Sequence, residues 1–215
     1  MKERGMIFNA EMVKAIIDGR KTMTRRIVNP QAELTKGSGF SWKGHLYGSG
    51  SDDRETNRNF AHIKCPFGKP GDRLWVRETW AEAGASAPNL KLYRANYPEH
   101  VPSHYENVPP AEEIRWKPSI HMPRWASRIT LEITGVRVER LNSISEQDAL
   151  AEGIDAENLY DSQDNYDCIA DHNFTGRPTA AGHFSYLWQS IYGVESWQAN
   201  PWVWVIEFRV IENRT

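Results

Sequence analysis

Residues 19–26, Gly-Arg-Lys-Thr-Met-Thr-Arg-Arg, constrain the fold more than any other stretch. They carry four basic side chains and two threonines in eight residues, with no acid. Before them, residues 8–19 have the pattern of a short amphipathic helix. Asn9 is its cap, Met12, Val13, Ile16 and Ile17 form the buried stripe, and Gly19 takes the left-handed position that ends it. After them, Ile27 and Val28 continue as a strand that Asn29-Pro30 closes, because proline cannot donate to a ladder. A packed core does not need so much charge and hydroxyl at one edge. A wall that binds an anionic or hydrogen-bonding ligand does.

The remaining pattern points to few strands and short helices. After the Pro70-Gly71-Asp72 turn, residues 73–80 alternate as a strand. Residues 127–141 read as two strands joined near Gly135. Ser145 starts a helix, with Asp148 three residues past the cap, and Gly153 ends it. Phe184, Leu187, Trp188 and Ile191 mark another helix, and residues 201–210 form the strongest strand in the chain. The expected fold is α+β, mainly β: a small β-barrel with short helices at its ends. A Rossmann fold is disfavoured, because helices do not alternate with strands and no Gly-rich loop follows a strand.

At 215 residues, 40% of them hydrophobic, the chain suits one core domain spanning 1–215. Insertions are expected at about 31–69, with a small hairpin near 40–47, and at 81–113 and 155–181. The nine tryptophans fit aromatic filling of a small barrel. No apolar run approaches the ~20 residues that span a bilayer, and the N-terminus leads into no signal-peptide core. Two cysteines form no disulfide framework, so a cytoplasmic location is expected. The net charge of −2 hides an asymmetry: residues 145–171 hold nine acids and no Lys or Arg. Opposite them stand the 20–26 cluster and Arg115, Lys117, Arg124 and Arg128.

These residues resemble the ASCH domain family. The helix and motif over 8–28 are similar to the family's opening, Gly71-Asp72-Arg73-Leu74-Trp75-Val76-Arg77-Glu78 to its second block, and the strand over 202–210 to its last one. The insertions resemble the phage and prophage branch. The resemblance implies a PUA-like β-barrel that binds RNA or a nucleoside in a cleft beside the motif. One bacterial branch hydrolyses the amide of N4-acetylcytidine with a lysine, a threonine and a glutamate, and the matching positions here are Lys21, Thr24 and Glu78. Many other members carry Glu at the Thr24 position, so Thr24 places this chain nearer the amidohydrolase pattern.

That chemistry suits the residue types. A threonine hydroxyl needs a base within reach, and a lysine serves once desolvation or cationic neighbours such as Arg20, Arg25 and Arg26 lower its pKa. In a regular strand positions 21 and 24 face opposite ways. Lys21 is therefore expected in the turn before the strand, with Thr22, Thr24 and Arg26 facing one way. Glu78 shares the apolar face of Leu74, Val76 and Trp80, where a carboxylate is costly unless it is paired or protonated. It either serves the site or forms a structural salt bridge to Arg26 or Arg25.

The first function expected is thus amide hydrolysis on N4-acetylcytidine or a related modified base. The alternatives are a non-catalytic RNA- or DNA-binding module, RNA ahead of DNA, gripping through Arg20, Lys21, Arg25, Arg26, Arg124 and Arg128, and a ribonuclease. Trp116 and Trp125 beside those last arginines mix rings and cations as single-strand surfaces do, though core filling explains them equally. No cofactor is expected. His62, Cys65, Cys168 and His172 have acceptable zinc spacing but sit in different insertions, so no metal site is expected either. His183 reads as structural.

Overall fold

The computed structural model describes residues 1–35, 39–47, 60–85, 87–155 and 179–213. In chain order its strands are β1 (Glu3–Ile7), β2 (Met23–Ile27), β3 (Glu33–Thr35), β4 (Gly39–Trp42), β5 (His45–Tyr47), β6 (Arg73–Arg77), β7 (Trp80–Glu82), β8 (Lys91–Tyr93), β9 (Ile129–Arg140) and β10 (Trp202–Asn213). Its α-helices include α1 (Ala10–Ile17), α2 (Glu146–Ala151), α3 (Ala180–Tyr192) and α4 (Val194–Gln198).

The main sheet has five strands in the order β1-β6-β9-β10-β2. β1 runs parallel to β6, and the other pairs are antiparallel. The fold is mixed, with strands dominant. The expected β-barrel is not closed by strand pairing: no ladder among the described residues joins the edge strands β1 and β2. A side chain spans that gap instead: the Arg26 guanidinium donates to the Ile7 carbonyl at 2.8 Å and lies over the Phe8 ring.

β10 carries almost no polar residue over its first half because both its faces are buried. Trp202, Trp204, Ile206 and Phe208 join the larger core with Phe8, Val13 and Ile16, while Val203 and Val205 join a second core under α2 and α3. β2 alternates in the same way. Met23 and Ile27 face the second core, and Val28 faces the first.

Four sequence expectations change. β1 was not foreseen. Residues 129–140 form one strand rather than two, with a bulge opposite Glu207 and Phe208; Gly135 allows the Glu207 side chain to lie where a Cβ would stand, 2.5 Å from its carboxylate. The 73–80 strand breaks at Glu78, and β7 pairs with β8 in a separate hairpin. Finally, the 31–69 segment is not peripheral. The expected hairpin is there as β4 and β5; Phe40 and Phe60 stack on each other, Phe60 stacks on Trp204, and Phe40 meets Trp202 edge-on.

Candidate functional site

Lys21 sits before β2 begins, as the motif's geometry requires. Gly19 turns the chain with φ +75. The Lys21 amide then donates to the Ala15 carbonyl at 2.9 Å, and the Thr22 amide to the Ala151 carbonyl at 2.8 Å. The basic segment is thereby fastened between the end of α1 and the end of α2. Its side chain is buried, and Nζ donates to both the carboxylate and the backbone carbonyl of Glu152, each at 2.7 Å. The side chains of this ion pair are 0% and 3% exposed. Burial holds the Lys21 ammonium below the usual lysine range, and Arg26 and Arg25 push the same way against the opposing pull of Glu152.

Glu152 also accepts from Arg25 Nη1 at 3.2 Å through its other oxygen. Arg25 goes on to Asp148 at 2.8 Å and to Glu139, with Phe184 beneath its guanidinium. Arg137 joins the same group, pairing with Asp148, Glu139 and Glu207. Three cations thus meet four carboxylates, and the stretch that reads as basic is compensated where it lies.

The other expected site residues separate. Arg20 bridges Asp18 and the Gly153 carbonyl. Thr24 is buried on the face of β2 opposite Arg25, and its hydroxyl has no hydrogen-bond partner among the described residues. Arg26 shares that face. Glu78 does not meet Lys21, Arg25 or Arg26 in an ion pair: both its oxygens are held at 3.0 Å by Arg128. Its pairing expectation is corrected accordingly, because the chain leaves the sheet at Glu78 and carries it towards the turn before β9. Burial raises the Glu78 pKa, with Arg128 opposing. Arg124 lies at the surface, doubly bonded to Glu3.

A cavity of about 260 Å³ adjoins the Lys21–Glu152 pair, bounded by Glu11, Met12, Glu152, Asp155, His183 and Leu187 among others. Its lining is acidic. His183 Nε2 is buried without a hydrogen-bond partner among the described residues, and desolvation lowers the ring's pKa. Sequence reading missed Glu152, one acid among nine, and set His183 aside. The signal for Glu152 was its place between the end of a helix and Gly153, where a buried lysine needs an acceptor.

Among the described residues no group of three or more His, Cys, Asp or Glu side chains is placed to hold a metal. Cys168 and His172 lie outside those residues. No described helix is long and apolar enough to cross a membrane.

No protein-family model matches the sequence, and no curated protein matches it significantly. Two solved structures resemble it in fold. A DUF984 protein from Enterococcus faecalis aligns over 100% of this chain and 83% of its own, at 12% identity and TM-score 0.41. An ASCH domain from Lactobacillus crispatus aligns over 99% of this chain and 81% of its own, at 15% identity and TM-score 0.36. Neither likeness bears on the site.

Proposed function

We propose that this chain binds a modified nucleoside in the cavity beside Glu152 and hydrolyses an amide on it, with N4-acetylcytidine as the representative substrate. Lys21 is the base, Thr24 the nucleophile, and Glu152 takes the role that the sequence assigned to Glu78. The observation that carries the reading is the buried Lys21–Glu152 pair. Burial makes the Lys21 ammonium readier to give up its proton than an exposed lysine, which suits a base, and the Glu152 carboxylate fixes its position.

In the proposed reaction Lys21 takes the Thr24 hydroxyl proton as the oxygen attacks the acyl carbon. The C–N bond breaks, and the leaving exocyclic amine takes the proton back from Lys21. Water then hydrolyses the acyl-threonine, releasing acetate and restoring the hydroxyl. Thr24 is the member under the heaviest geometric demand: it is buried on the face of β2 opposite Arg25, which shares Glu152 with Lys21, so the step requires its hydroxyl to be brought to the Lys21 side of the strand. If water is the nucleophile instead, Thr24→Ala retains activity.

The acidic lining supports a nucleoside over a nucleic-acid strand. Carboxylates of Glu11, Asp155 and the paired Glu152 border the cavity, a lining that disfavours a phosphate more than a neutral sugar. Lys21, Arg25, Arg124 and Arg128, which a strand-binding surface would use, are already paired with carboxylates. The test is incubation with N4-acetylcytidine and N4-acetylcytosine, followed by chromatography for the deacylated product. Release that is lost in Lys21→Ala supports the reading, and no release above background by the folded wild type removes it.

A further inference from the structure

A second cavity, of about 290 Å³, lies in the 81–128 region, with Lys91, Tyr93, His100, Trp125 and Arg128 among its walls. Arg128 is held from behind. Its Nε and Nη2 grip the Glu78 carboxylate, Nη2 also donates to Asn96 Oδ1 at 2.9 Å, and the guanidinium stacks 4.0 Å from the Tyr93 ring centroid. The remaining nitrogen, Nη1, is buried and has no hydrogen-bond partner among the described residues. A buried donor left unpaired costs free energy, and a ligand acceptor in this cavity would recover it. Glu78 matches the Arg128 charge, so the floor offers a hydrogen bond with little net positive field. That favours a neutral carbonyl over a carboxylate.

The walls and rim fit the rest of such a ligand. Trp125 is 63% exposed, yet it packs edge-to-face on buried Trp80 at 5.5 Å. An open indole fixed by a buried one is a stacking platform. Lys91 Nζ lies over one face of the Trp125 ring, 5.5 Å from its centroid, and among the described residues its hydrogen bonding is a 3.5 Å contact to the Asn89 carbonyl. His100 adds no charge: its Nε2 accepts from the Tyr93 amide, so Nδ1 carries the hydrogen bonded to the Asn96 carbonyl.

We infer that this cavity is a second ligand site, separate from the Lys21 cavity, for a nucleoside monophosphate. The base lies on Trp125 with a ring carbonyl on Arg128 Nη1, and the phosphate sits at Lys91. The inference does not rest on the hydrolytic reading.

The test is calorimetric titration of the full chain with UMP, AMP, uridine and inorganic phosphate. UMP is expected to bind saturably, AMP more weakly because adenine has no ring carbonyl, uridine more weakly for want of phosphate, and phosphate alone not at all. Trp125→Ala, at an exposed position, is expected to weaken UMP roughly 10- to 100-fold, and Lys91→Ala to bring UMP down to the level of uridine. No saturable UMP binding, UMP binding no tighter than phosphate, or Trp125→Ala without effect overturns the inference.

Discussion

The ammonium of Lys21 and the carboxylate of Glu152 lie 2.7 Å apart, buried, and 131 residues apart in sequence. The pair joins the segment after α1 to the end of α2, and Glu152 holds Arg25 with its second oxygen. Removing the carboxylate leaves two buried cations short of a partner. Glu152→Ala is expected to destabilise the chain by about 3–5 kcal/mol, measured by urea unfolding. Lys21→Met, which removes a buried charge with its own desolvation cost, should cost less. Equal losses would contradict this ranking.

Asp72 closes the loop before β6, accepting from the Lys2 amide at 2.7 Å and the Lys69 amide at 3.3 Å. The Lys2 bond is the main reason its pKa lies below the ordinary 3.8, with Lys69 and Arg4 adding to it. A depressed folded-state carboxylate gives stability that is complete above its unfolded pKa and lost as pH falls through the folded value. Asp72→Asn is therefore expected to cost about 1–2 kcal/mol near neutrality and less below pH 3.8. A deficit that stays constant with pH contradicts the assignment.

Gly5 pairs with Trp75 across the parallel β1–β6 ladder, and a Cβ at Gly5 would stand 2.6 Å from the Trp75 indole. Gly5→Ala is expected to displace that ring and cost about 1–3 kcal/mol, with a shift in tryptophan fluorescence. An alanine variant with unchanged stability and spectrum would mean that β1 does not lie against β6.

Elements set by local chemistry were legible. Asn9 and Ser145 cap α1 and α2 as their side chains suggest, the alternation over 73–77 marks β6, and the apolar run over 202–206 marks β10. What depended on distant partners was not. β1 has little pattern of its own and exists because β6 offers it a parallel ladder. Gly135 signals a turn or a bulge equally well until its cross-strand neighbour is known. Phe40, Trp42 and Phe60 sit in polar surroundings that read as loop, yet they cover the Trp202–Trp204 face. At the site, the lysine and its irregular approach were readable, but its carboxylate was not. Glu78 looked right because it is inward-facing and in a matching block, and Arg128 is the partner that takes it.

Burial lowers the Lys21 pKa from 10.5. If its neutral amine is the base, the rate of amide cleavage rises with pH through that depressed pKa and levels off below the ordinary lysine value. Glu152→Gln weakens the opposing pull and moves the rise to lower pH. A profile set by a group near the ordinary 10.5, or one unmoved in Glu152→Gln, contradicts the base assignment.

The most direct test compares cytidine release from N4-acetylcytidine by the wild type, Glu152→Gln and Glu78→Gln, each shown to be folded by circular dichroism. The account predicts that Glu152→Gln lowers kcat/KM roughly 100-fold or more, whereas Glu78→Gln stays within about 10-fold of the wild type. An inactive Glu78→Gln beside an active Glu152→Gln would contradict it.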